Sequence, residues 1–259
     1  MRKKVLTLLL VGVLLLSVST WAAAQGSGDM SRDQIRLQDP VQDQTQLFLQ
    51  DQVRKQLRDR LNITDDAKAQ MQERLQQQEQ FYFSDMQQHW AREQVREAYL
   101  WGLASGYPDG SFRPEGNITG TEAVLMMSRM ANCIAGIEPG TGTAGDIDWN
   151  VVPLWARERL QDPTALRIAS QSQFYGEQQL NRLQFAVMLA KSLGIEPAVV
   201  PEDMAFQDQG GIPAGDLGYV LALKNMGIVA GDNGSFYPER LVTRAEAAVM
   251  LRKAMNVLE

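Results

Sequence analysis

Thr243-Arg244-Ala245-Glu246 places a hydroxyl, a guanidinium and a carboxylate within one helical turn. Such a set can hold an anion, or it can simply start a helix. Thr243 three residues before Glu246 is a capping box: the Thr oxygen accepts the Glu246 amide while the Glu carboxylate reaches back to the Thr243 amide. That accounts for Thr243 and Glu246 without a ligand. Arg244 is left over, because a cation at the first helical position faces the positive end of the helix dipole and costs about 0.3–1 kcal/mol when exposed. Either it pairs with a nearby acid such as Glu246, or it joins the helix N-terminus in holding an anionic group such as a carboxylate. Arg182, between Asn181 and Gln184, repeats the arrangement in amide form.

Other chemistry is sparse. His89 is the single histidine, which leaves nothing for a His-based triad or a His-rich metal site, and no cofactor is expected. Asp85, Asp109, Asp208 and Glu246 supply enough carboxylates for glycoside hydrolysis, but turn and cap roles explain most of them, and no enzymatic activity is expected. Gly140 to Gly145 has dinucleotide-loop spacing without a strand before it or a helix directly after it, and reads as a linker. Cys133 is alone, so no internal disulfide forms, and its apolar helical surroundings mark it as a core filler.

The elements that would position the two arginines are repeated. Phe112, Phe174 and Phe236 stand 62 residues apart, and the same offset aligns Ile118, Leu180 and Val242, then Thr119, Asn181 and Thr243, then Glu122, Gln184 and Glu246. Arg129, Lys191 and Lys253 align seven residues further on, and Lys191 and Lys253 read as solvated or groove-rim cations. Each copy should start from a turn, which is Gly-rich in copies one and three, and then enter a capped helix packed on one face. Upstream helices are expected from about Trp90 to Leu103 and from about Gly215 to Met226. In copy two, Gln161 to Gln173 reads as irregular. Gly120 replaces the arginine in copy one, so at most two copies keep the anion contact.

The ends of the chain differ from these repeats. Arg2, Lys3 and Lys4, an apolar run to Val18 and Ala22-Ala23-Ala24 read as a secretory signal over residues 1–24, cleaved after Ala24, with a retained membrane anchor as the alternative. Of 25 basic residues three lie in that leader, leaving 22 against 31 acidic ones and a net charge of about −9. A chain so acidic and without a basic run is a poor partner for nucleic acid or an anionic membrane. Residues 25–80 are Gln-rich and charged, with Leu49, Val53, Leu57 and Leu61 in a narrow stripe and a helix break near Asn62 to Asp66. They form a solvated helical spacer, or a segment, 44–80, that pairs with itself or with another protein.

Phe83-Ser84-Asp85, His89-Trp90-Ala91, Gly106-Tyr107-Pro108-Asp109-Gly110-Ser111-Phe112-Arg113-Pro114 and Thr243-Arg244-Ala245-Glu246 together resemble the S-layer homology repeat. The resemblance implies a mainly α fold of three helix-loop-helix repeats in a pseudo-threefold arrangement, at 81–136, 146–198 (degenerate) and 203–259. It implies non-covalent anchoring of an exported protein to the cell wall or cell surface, or in the periplasm of a cell with an outer membrane. The implied partner is a cell-wall polysaccharide or peptidoglycan, often a pyruvylated secondary polymer. Asp85, Asp208, Trp90 and Trp155 match further positions of the family's pattern. Both tryptophans are read as core residues ahead of sugar platforms.

Overall fold

In the computed structural model the described residues are 51–52, 54–77, 83–137, 147–171, 174–199 and 206–259, all within one compact unit, Pro40–Glu259. The leader, Leu47, Leu49, Val53 and the 140–145 loop lie outside the described residues. The fold is mainly helical: α1 (54–60), α2 (Asp65–Gln77), α3 (Arg92–Leu100), α4 (Gly120–Asn132), α5 (Leu154–Arg157), α6 (Pro163–Gln171), α7 (Arg182–Ser192), α8 (Ala214–Asn225) and α9 (Arg244–Leu258). Two short strands, β1 (Asn62–Ile63) and β2 (Ile134–Ala135), pair antiparallel.

The capping boxes are all formed. Thr119, Asn181 and Thr243 each accept the amide three residues on, and Glu122, Gln184 and Glu246 each reach back. These three boxes set the starts of α4, α7 and α9. Just before them the chain segments meet in a closed ring of backbone hydrogen bonds. Ile118 donates to Val242, Val242 to Leu180, and Leu180 to Ile118, at 2.9–3.0 Å. Ile118, Leu180 and Val242 are fully buried.

Helices pack between copies of the sequence repeat. α3 lies on α9, α6 on α4 and α8 on α7, so each upstream helix covers a capped helix from a different copy. A single copy therefore has no complete core of its own, as expected of repeat proteins. Phe112 and Phe236 are fully buried and stack on Phe83 and Phe206 at 5.2 and 5.4 Å, while Phe174 is only partly buried.

Two expectations are corrected. The stretch from Gln161 is a helix, α6, started by Asp162, whose side chain accepts the amides of Thr164 and Ala165, and by Pro163 at the first helical position. The second correction concerns the extension. Leu57, Leu61, Ile63 and Ala67 are buried in the core shared with the repeats, so this stretch is not a solvated spacer.

Four arginines tie this segment to the ends of the repeat helices. Arg54 donates to the carbonyl of Met226 (3.1 Å), Arg58 to Val257 (2.7 Å), Arg60 to Gly194 (2.6 Å) and Arg74 to Leu100 (3.3 Å). Each acceptor is at the C-terminus of a helix, where carbonyls lack intrahelical partners and the dipole is negative. Gly102 and Gly227, both at positive φ after such ends, lie against Arg74 and Arg54, and a Cβ on Gly102 would come within 2.2 Å of the Arg74 guanidinium. The stripe thus supplies the apolar half of a clasp and the arginines its polar half.

Candidate functional site

The three capped helices begin at three junctions between copies. At each, the first two helical amides donate to carbonyls of the neighbouring copy's loop. Arg244 and Ala245 donate to Gly116 and Pro114, Arg182 and Leu183 to Arg240 and Pro238, and Gly120 and Thr121 to Gln178 and Gly176, at 2.7–3.1 Å. The third amide goes to the capping side chain. The leading amides are all used, so an anion at these junctions would be held by side chains and not by free helix amides. What is left to distinguish the junctions is side chains.

At the junction of α9 with the loop before α4, Arg244 is buried and fully engaged. Its Nε donates to the Phe112 carbonyl (3.0 Å), Nη2 to the Ser105 carbonyl (3.1 Å) and Nη1 to Glu122 (2.7 Å). The guanidinium lies over Tyr107 and Phe112, 4.8 and 5.0 Å from the ring centres. Tyr107 completes the cluster by donating its hydroxyl to Glu122 (3.2 Å). Burial raises the Tyr107 pKa, with the Arg244 charge acting against it and the Glu122 carboxylate with it. The expected acid partner, Glu246, is thus corrected to Glu122, 122 residues away.

At the junction of α7 with the loop before α9, the equivalent arginine is less satisfied. Arg182 Nη2 donates to the Ala230 carbonyl (2.7 Å), but Glu246 stands 3.8 Å from Nη1, and the buried Nε has no partner. Arg240 is the cause: its guanidinium grips both oxygens of Glu246 and draws that carboxylate away. The position of Arg240 is held by Gly116 in copy one, where no second cation competes. Burial lowers the Arg182 pKa, opposed by Glu246 and assisted by Arg240. Burial pushes Glu246 up, but the Arg240 hydrogen bond, the Thr243 amide and the charges of Arg240 and Arg182 bring it below 4.5. Two arginines share one carboxylate here, beside the exposed Tyr237 and Leu241.

The third junction lost both partners together. Gly120 replaces the arginine and Gln184 the acid, so no charge is stranded. Tyr175 fills the space: a Cβ on Gly120 would meet its Cβ at 2.7 Å, and its hydroxyl bonds Gln184.

The remaining candidates divide in the same way. Asp85 accepts the amides of Phe112 (2.9 Å) and Arg113 (2.7 Å), and Asp208 those of Phe236 (2.8 Å) and Tyr237 (2.7 Å). Arg113 and Tyr237 have φ near +60°, a costly conformation for these residues, and the carboxylates hold those turns. Trp90 and Trp155 are 63% and 53% exposed, which corrects their reading as core. Trp90 follows His89, whose Nδ1 accepts the Ala91 amide and whose Nε2 therefore donates to Glu115 (2.8 Å). Lys191 lies 5.6 Å from the Tyr219 ring, and Lys253 lines a shallow cleft with Arg54 and Arg58. Cys133 packs against the core, and burial raises its pKa. Among the described residues no group of acids, His and Cys has the makings of a metal site, and no helix is long and apolar enough to cross a membrane.

The chain is 26% identical over 165 residues to cell surface glycoprotein 1 of Acetivibrio thermocellus, which covers 58% of this chain and 7% of that protein. It is 26% identical over 163 residues to S-layer protein EA1 of Bacillus anthracis and over 171 residues to the S-layer protein of Bacillus licheniformis, each covering 62% of this chain and 18% of the relative. It therefore spans less than a fifth of the length of these relatives. Residues 82–124 and 205–248, the stretches that carry the Asp85 and Asp208 turns and the Thr119 and Thr243 boxes, match the S-layer homology domain.

Proposed function

We propose that the protein anchors non-covalently to the bacterial cell wall or cell surface and that its ligand is an acidic glycan, such as a pyruvylated wall polymer. The two S-layer homology matches and the likeness to S-layer proteins support the anchoring. Three units in a pseudo-threefold arrangement, 147–198 being the divergent middle one, form the binding body; the closed ring through Ile118, Leu180 and Val242 supports this reading.

The ligand's anionic group binds at the junction of α7 and the α9 loop. One observation carries that choice: Arg182 and Arg240 share a single carboxylate. Tyr237, Trp155 and Trp90 offer exposed rings for sugar faces. Arg244 works inside the fold. The protein is non-catalytic: Asp85, Asp208, Glu122 and Glu246 are each held by amides or arginines, and Glu246 is shifted away from the raised pKa of a glycosidase acid.

Co-sedimentation of the full chain with purified wall sacculi tests this, before and after chemical removal of the secondary polymer. Arg182→Ala with Arg240→Ala should reduce binding at least tenfold, a loss of about 1.4 kcal/mol, while circular dichroism shows that the chain still folds. Binding equal to wild type would refute the site.

A further inference from the structure

At the end of the fold opposite in chain sense to these junctions, where α7 finishes, a cavity of about 210 Å³ lies beneath the 54–60 helix. Arg167, Gln171, Arg60, Gly136 and Ser192 are among the residues that line it. Its volume is roughly that of seven waters. Arg167 is 5% exposed. Its Nη2 donates to the Ser192 carbonyl (3.1 Å) and its Nη1 to Gln171 (2.8 Å), both neutral acceptors, while its Nε is buried without a partner. Arg60, at the surface, donates to the carbonyls of Gly194 and Leu193. No carboxylate is among the described residues that line the cavity.

A fully buried arginine is nearly always paired with an acid, because its charge loses its hydration on burial. The end of α7 offers roughly half a negative charge. Two guanidinium groups face it, and no carboxylate among the described lining residues balances them. Burial also lowers the Arg167 pKa, with no opposing charge beside it. The other buried arginines differ: Arg244 meets Glu122, and Arg252 meets Glu97 and Glu259.

We propose that this cavity is a second anion site, separate from the α7–α9 junction, which takes a small oxyanion, a phosphate or carboxylate group, between Arg167 and Arg60. The Nη1 of Arg167, released as the Gln171 side chain turns, and the outer edge of Arg60 supply the donors, and the turned Gln171 amide adds its own. Binding fixes the end of α7 to the 54–60 helix, so an occupied site stiffens the clasp.

Thermal unfolding of the full chain in inorganic phosphate, against sodium chloride of equal ionic strength, tests the proposal. Phosphate at saturating concentration should raise Tm by about 2–4 °C over chloride. Gln171→Glu places a carboxylate beside Arg167; it should raise Tm in chloride and abolish the phosphate increment. Arg182→Ala should keep the full increment. In a spectrum of 15N-arginine-labelled protein, the Arg167 Nε resonance should move on phosphate addition. No phosphate increment in the wild type, an increment that persists in Gln171→Glu, or one lost in Arg182→Ala would each overturn the proposal. So would an increment that appears only after Glu138→Gln, since Glu138 follows Ile137 in the chain and would then be the cavity's own anion.

Discussion

Arg244 and Arg182 occupy the same place in the repeat, yet one is part of the core and the other stands half-satisfied at a junction. The difference lies in neither arginine. It lies one loop away, where copy one has Gly116 and copy three has Arg240. With glycine there, Glu122 closes on Arg244 at 2.7 Å. With arginine there, Glu246 is pulled off Arg182 to 3.8 Å. The same repeat position can therefore be a closed structural staple in one unit and an incompletely paired cation in the next, and its neighbours decide which.

The largest effect expected from this comparison is on Arg244. Arg244→Ala removes a buried guanidinium, leaves the partly buried Glu122 without its cation and should cost about 3–5 kcal/mol in urea unfolding. Changing Arg182 and Arg244 together would thus test folding rather than binding. Gly120→Arg, which restores the motif in copy one, should destabilise by about 1–3 kcal/mol, because Tyr175 already occupies the space. Arg58→Ala should cost about 1–2 kcal/mol through the lost bond to Val257, with protease cutting rising near residues 50–77.

Arg240→Gly sharpens the comparison most directly. It should let Glu246 close on Arg182, change stability by less than about 1 kcal/mol, and still abolish wall binding. Unchanged binding would mean that the free guanidinium edge of Arg182 is not the contact. The smallest effect is the pH dependence. Glu246 has a folded pKa below its ordinary value, so its contribution is complete above about 4.5 and is lost as pH falls through the lower folded value. Asp109, held down to about 2 by Ser111 and Arg113, acts the same way below about 3.8. Acid unfolding of Glu246→Gln should accordingly be flatter than that of wild type below pH 4.5.

The capping boxes and the repeat register were legible because both are local or strictly periodic. Thr119, Asn181 and Thr243 start their helices as the spacing requires. The start of α6 was also written in the chain, as Asp162-Pro163, a capping carboxylate followed by proline at the first helical position. The arginine partners were not legible. Arg244 meets Glu122 across 122 residues, and no spacing rule reaches so far. The stripe at Leu57 and Leu61 announced a buried face without saying what would cover it. Trp90 and Trp155 looked like core because large aromatics usually are, and only the packing shows their faces open.

The clasp has a consequence for the order in which the chain becomes folded. Arg54 and Arg58 are made early in synthesis, yet their acceptors, Met226 and Val257, lie 172 and 199 residues later. The first helix over the next is α3 on α9, again a pairing of early chain with late. Contacts so distant in sequence form slowly, since the loop between them must close first. Until residues 242–258 exist, Arg58 lacks its acceptor, α3 its covering helix, and the ring through Val242 stays open. A chain that stops before α9 is therefore left unlatched, and the fifteen residues of α9 close it.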